Sequence, residues 1–264
     1  MDLFNRRPNA PLSNWSVAAL GVTAIAFVEA VYLATVVIPG NQNWSLGMDY
    51  RFYRDVGVRW LADGSFYQAH QLVGAYQVGL MVDVLYPPPA LLLFVALTVL
   101  PAVLWWAVPI AVLAFVLSML RPEPRAQFVM ALALAWPGTI GAYLFGDTDI
   151  WAAAVVAAGV YWGWPAAFLV LKPVYLPFAI FAIRRRLFWI ALGAGVLISL
   201  AMLPLWADYL RAMQYARVSL TYSVSSIPLL LIPVVAWLGR DRVSRRQTQT
   251  GGATESIRIA AGHL

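Results

Sequence analysis

Four short stretches of this chain carry residue types and spacings suited to chemistry. Asp49 opens the polar segment Asp49–Tyr67, DYRFYRDVGVRWLADGSFY, among arginines and aromatics. Lys172 is the only lysine in 264 residues, and it sits before Pro173 inside an apolar run. Gly146-Asp147-Thr148-Asp149 sets two carboxylates two residues apart, and Tyr86-Pro87-Pro88-Pro89 opens a second apolar run. A fixed carboxylate can take a proton from a hydroxyl. A lysine in a dry site can stabilise a developing anion such as a phosphate. A charge within a bilayer costs about 2.5–3.5 kcal/mol on insertion scales, so Lys172 needs a partner or a wet cavity. The acid pair has a cation-binding spacing, but no further ligand accompanies it. Simpler roles compete: Asp49 as a carboxylate at a helix N-terminus, and Lys172 as a snorkelling or structural cation.

Composition limits where such groups can stand. The chain is 62% hydrophobic and 11% charged, against about 25% charged in soluble domains. It reads as an all-α polytopic membrane protein whose size suits one membrane bundle. The absence of cysteine excludes disulfides, thiol catalysis and thiolate metal sites. The two histidines, His70 and His263, do not make a histidine-rich metal centre. The net charge of +6 belongs to loops and tails, and no basic stripe is interleaved with stacking aromatics, so no nucleic-acid partner is expected. No cofactor is expected either.

Eight segments approach the roughly 20 apolar residues of a crossing helix: about 15–38, 86–101, 103–120, 126–145, 148–163, 165–183, 187–206 and 226–239. The first reads as a retained signal anchor. The second, fifth and eighth are short enough to be tilted, broken or re-entrant. Eight crossings with both ends cytoplasmic put ten arginines inside (6, 7, 184–186, 240, 242, 245, 246, 258) and seven outside (51, 54, 59, 121, 125, 211, 217). The loops at about 39–85 and 207–225 then lie outside. Residues 1–239 form a single transmembrane domain, and 240–264 form a disordered cytoplasmic tail. This count puts Gly146–Asp149 inside, away from Asp49, unless the short fifth span is re-entrant.

Asp49–Leu61 has the pattern of an amphipathic helix, with Asp49, Tyr53, Val56 and Trp60 on one face. Arg51, Asp55 and Arg59 follow at i,i+4 steps that support ion pairs. Such a helix would lie flat at the interface, its aromatics at headgroup level. Glu29 in the first span reads as a lone structural carboxylate. His70 reads as a solvated loop residue without a partner in sequence.

Taken in order, D-Y-x-F-Y-x-x-x-G-x-x-W-L-x-x-G-x-x-Y after the first span, Y-P-P-P opening the second, Leu100-Pro101, Gly146–Asp149 and Lys172-Pro173 before a triple arginine resemble the GT-C superfamily of membrane glycosyltransferases. The resemblance is to the glycosyltransferase family 87 group, which uses polyprenyl-phosphate mannose, and it covers about residues 15–206. It implies a GT-C-like bundle with an outer loop helix. It implies an inverting transfer of a sugar, expected to be mannose, from a polyprenyl-phosphate donor to a glycolipid or glycan acceptor at the outer membrane face. Asp49 would be the general base. By the same match Lys172, Tyr67 and Tyr86 would meet substrate. Tyr53 and Arg54 on the loop helix are further candidate substrate residues, and Arg211 and Arg217 could clamp phosphate or sugar or equally serve as interfacial anchors. The family commonly has amides where Asp147 and Asp149 stand, and its members usually carry further spans. A transporter or lipid flippase, and a non-catalytic membrane subunit working with a protein partner, remain as alternatives.

Overall fold

The computed structural model describes residues 13–78, 83–217 and 225–240; the tail after Arg240 lies outside them. The described chain is mostly helical. The helices are α1 (Asn14–Gly40), α2 (Met48–Asp63), α3 (Ala90–Ala96), α4 (Val103–Leu120), α5 (Pro124–Leu134), α6 (Pro137–Phe145), α7 (Asp149–Trp162), α8 (Arg186–Leu200), α9 (Leu203–Tyr215) and α10 (Ile227–Leu238). Between α7 and α8 run two 3-10 segments, Trp164–Leu171 and Pro173–Phe181. The described strands are a two-residue parallel pair, β1 (Tyr76–Gln77) with β2 (Ala216–Arg217). Alone, α1 and α4 are long and apolar enough to cross a membrane. The bent pairs α5–α6 (63°) and α8–α9 (92°) raise the count to four if each is one span. This is compatible with an all-α membrane protein.

Prolines set the breaks. Trp136 precedes Pro137 and leaves the helical region at ψ 129°, as the proline ring forces on its predecessor. The Thr139 hydroxyl donates to Ala133 O at 2.8 Å across that gap. Pro204 stands in the first turn of α9, where its missing N–H costs nothing.

The helices define two ends of a bundle. At one end Gly47 N donates to Leu144 O (2.8 Å), Trp105 Nε1 to Gly146 O (2.8 Å) and Trp106 Nε1 to Tyr143 O (2.8 Å). At the other, Glu123 N donates to Gly239 O (2.8 Å) and Arg185 Nη1 to Tyr161 O (3.2 Å). Two of the eight apolar segments start and finish at the same end. Tyr86 and Trp105, either side of α3, both pack on Tyr53, with ring centroids 5.8 and 5.9 Å away. Gly163 and Arg185, either side of the 3-10 segments, touch each other, while Lys172 between them reaches Asp149 at the far end of α7. Segments 86–101 and 165–183 are therefore hairpins. The reason is length: α3 has seven residues, about 10 Å of helix, and the 3-10 run is folded at Lys172-Pro173.

The amphipathic helix occurs as α2, but its aromatic face is covered by protein. Asp49, Tyr50, Tyr53, Val56 and Gly57 are buried, and Tyr53 stacks on Phe94 at 5.0 Å. This corrects the expectation of a helix with its aromatics at headgroup level. The i,i+4 ion pairs do not form either: Arg51 donates to Leu46 O and the Ser45 hydroxyl, and Arg59 to Ser65 O and Phe66 O.

The close approach of α2 to α3 depends on Gly57, where an added Cβ would stand 2.3 Å from Phe94 O. Gly57→Ala should lower stability by about 2 kcal/mol or more. Gly21→Ala, in open space on α1, should be neutral or stabilising. Thermal unfolding in detergent measures both.

Candidate functional site

The site is built where α2, α6, α7 and the Lys172 hairpin meet. Asp49 stands in the first turn of α2 after Gly47, which takes a left-handed conformation (φ 67°). Gly146 ends α6 in the same conformation (φ 75°). A Cβ there would lie 2.8 Å from the Trp106 ring and 3.1 Å from Tyr50 Cβ. Only glycine lets the Gly146–Asp149 turn press against α2 in this backbone conformation.

Asp147 Oδ1 accepts from the Asp149 N–H (3.1 Å) and the Thr148 hydroxyl (3.0 Å), satisfying a free donor at the start of α7. With its proton given to Asp147, Thr148 Oγ1 accepts from the Tyr86 hydroxyl (2.6 Å). The Tyr53 hydroxyl lies 3.3 Å from Tyr86 Oη and 3.4 Å from Asp147 Oδ1. Tyr67 donates to Tyr86 O at 2.7 Å and fixes the Tyr-Pro-Pro turn.

Lys172 arrives from the opposite end of the bundle. Pro173 bars the helical region to its predecessor, and Lys172 takes φ −134°, ψ 82°. The chain breaks there and presents the side chain at the hairpin tip. Its ammonium pairs with Asp149, lies 3.5 Å from Asp147 Oδ1 and 3.4 Å from Thr148 Oγ1, and sits 5.1 and 5.9 Å from the ring centroids of Tyr175 and Tyr86. Asp149 also bonds to Ser226 at the start of α10. This half-buried cation thus has the partners that its partial burial requires.

Asp49 is 9% exposed. Its carboxyl is pushed up to about 7, first by burial and then by the negative charge of Asp147, with Lys172 opposing and Asp149 adding to the rise. A carboxylate titrating near neutral pH is suited to proton transfer. The Tyr67 phenol is raised, mainly by burial.

Beside the polar cluster lies a cavity of about 570 Å³, lined by residues of the Tyr86 turn and α3, by Thr148, Trp151, Ala152 and Val155, by the first 3-10 segment up to Lys172, by one face of α8 and by Trp206. Its walls are apolar apart from Tyr86, Thr148, Lys172, Ser199 and Trp206. An apolar pocket whose polar end carries Tyr86, Thr148 and the Lys172 ion pair fits an amphiphile with a polar head.

The structure gathers Asp49, Tyr53, Tyr86 and Lys172, with Tyr67 behind them. It leaves three expected substrate residues apart. Arg54 is exposed on α2, Arg211 is exposed with Asp208 at 3.5 Å, and Arg217 is exposed on β2. Gly146–Asp149 is corrected: it lies at the Asp49 end, because the 86–101 hairpin reverses the side of everything after it. Tyr175, Ser226 and Thr148 were missed. Tyr175 had a signal, standing three residues beyond Lys172. Ser226 had none, since only the packing of α10 brings it there. His70 is also corrected: its Nε2 lies 2.6 Å from Asp83 Oδ1. Glu29 is half-buried on α1 and takes no part in the cluster. Among the described residues, no three acidic or histidine side chains converge as a metal site.

Comparison with protein-family models, curated proteins and solved structures finds no match to this chain.

Two outcomes are expected from the charges. Lys172→Met strands Asp147 and Asp149 and should cost about 3–5 kcal/mol, read as loss of the monodisperse, folded protein. Asp49 binds its proton more tightly folded (about 7) than at the ordinary 3.8. Its contribution to stability is therefore full below about 4 and is lost as pH rises through about 7. Asp49→Asn should raise the melting temperature more at pH 8 than at pH 5, and a pH-independent difference would contradict the assignment.

Proposed function

We propose that this protein is an inverting membrane glycosyltransferase that takes a sugar, expected to be mannose, from a polyprenyl-phosphate donor. One observation carries the reading: an apolar cavity ends at Lys172, Tyr86 and Thr148, and within electrostatic reach of that lysine stands a buried carboxylate titrating near 7. The lipid tail occupies the cavity and its phosphate meets Lys172. Asp49 removes the proton of the acceptor hydroxyl as its oxygen attacks the anomeric carbon. The bond from that carbon to the phosphate oxygen breaks, and polyprenyl phosphate leaves with the electron pair. Lys172, sharing its ammonium between Asp149 and the phosphate, stabilises the charge gathering there. The acceptor is a glycolipid or glycan.

The arginines support an outward-facing site and cytoplasmic termini. With 86–101 and 165–183 as hairpins, six crossings remain. Arg51, Arg54, Arg59, Arg211 and Arg217 belong to the site end. Arg121, Arg125, Arg184, Arg185, Arg186 and Arg240 belong to the other end, which Arg6, Arg7, Arg242, Arg245, Arg246 and Arg258 adjoin in sequence. Twelve against five is a clear bias towards one side, stronger than eight crossings give.

Purified protein should move labelled sugar from a polyprenyl phosphate to a lipid acceptor. Its rate should rise with pH to a plateau above about 7, and Asp49→Asn should lower it by at least about a hundredfold while the protein stays folded. Full activity in Asp49→Asn removes Asp49 as the base. The broken helices and the hairpin tipped by Lys172 also favour a transporter, in which half-helices meet substrate near the midplane. Transfer in detergent, where no gradient exists, separates the two.

A further inference from the structure

We infer that Gly195, on the cavity face of α8, sets which lipid tails the cavity admits; this deepens the proposed reaction and rests on it. Glycine is the poorest helix former after proline, yet α8 carries two, Gly193 and Gly195, in its interior. Neither is required by crowding: a Cβ at either position meets nothing within 4 Å. Their surroundings differ. Gly195 lines the cavity, with Ala191 and Ser199 one turn to either side. Gly193 is exposed on the outer face of α8 and takes no part in the lining.

Ala191, Gly195 and Ser199, at i, i+4 and i+8, line the cavity between Leu192, Val196 and Ile198 of the same helix, and other parts of its lining are bulky, with Phe94, Trp151 and Phe168. The missing side chain at 195 is thus vacant volume rather than a backbone contact. The occupant is fixed by the ends of the cavity. Lys172 at the polar end can meet an anionic head, and the apolar walls call for hydrocarbon, so the ligand is a lipid phosphate whose tail reaches Gly195 once it is long enough to run along α8. Trp206, held by its Nε1 to the Ser199 hydroxyl at 2.8 Å, keeps α9 bent across the wall at the next turn. A Cβ at 195 enters open space, so a larger side chain there starts from an unstrained backbone and takes up cavity volume.

The test uses full-length protein and three variants: Gly195→Trp, Gly195→Ala and Gly193→Trp. Retention of unglycosylated polyprenyl phosphate by purified protein is read by native mass spectrometry. Sugar transfer is read with donors of two and of about ten isoprene units. Gly195→Trp should lose lipid retention and raise KM for the long-tailed donor by roughly tenfold or more, with a smaller change for the short one. Gly193→Trp should match the parent chain, and Gly195→Ala should change retention and KM in the same direction as Gly195→Trp but by less. Equal retention in Gly195→Trp, or an equal KM change for both donors, overturns the inference. So does a Gly193→Trp variant as impaired as Gly195→Trp, since that effect would come from the helix and not the cavity. If the parent chain retains the lipid in a Gly195-dependent way but transfers no sugar, the reaction fails and the lipid site stands.

Discussion

The pairing of one lysine with two aspartates governs this structure. Lys172 pairs with Asp149, which begins α7, and lies near Asp147 in the turn before it. The lysine sits at the tip of a hairpin whose ends meet at Gly163 and Arg185. The charge interaction therefore joins three parts of the chain: the turn after α6, the start of α7 and the hairpin tip. Buried singly, each charge would be costly; together they hold each other. Thr148, Tyr86 and Tyr53 extend the network to α2, and so bring Asp49 into the same field. The raised carboxyl of Asp49 results from that field and from its burial.

The apolar architecture serves this cluster in two ways. Close-packed aromatics around Tyr53, Phe94 and Trp105 hold α2 against the bundle, so Asp49 is fixed by a rigid element. On the other side of the polar residues the packing is left open as a cavity. The same residues, Tyr86, Thr148 and Lys172, belong to both the network and the cavity wall. A headgroup and a tail would therefore be sorted at one boundary.

Much of the site was legible in residue type. A lone lysine in an apolar run and an aspartate at the start of an amphipathic helix are costly features that demand a reason. What the sequence could not show was parity. Counting 86–101 as a crossing places Gly146–Asp149 on the wrong side, and counting 165–183 as another restores the side for α8 and the segments after it. The errors cancel at the chain ends, so the orientation of the termini gave no warning. The prolines were the available signal: Pro87–Pro89 and Pro101 enclose too few residues for a crossing, and Pro173 breaks the run at Lys172. The aromatic face of α2 was legible as a face, but its partner was not. Periodicity reports that a surface is covered without saying whether lipid or protein covers it. Ser226 was beyond reach because a contact between α10 and α7 has no local trace.

The length of α7 has a consequence for the depth of the charges. Its 14 residues span roughly 21 Å, against a hydrocarbon core of about 30 Å. Most of α7 is buried among the other helices, so its short span would be made up by polar protein above it rather than by lipid. Asp149 begins this helix and Lys172 touches it there. In a bilayer of that thickness the charges would stand below headgroup level, within the protein rather than at the lipid surface.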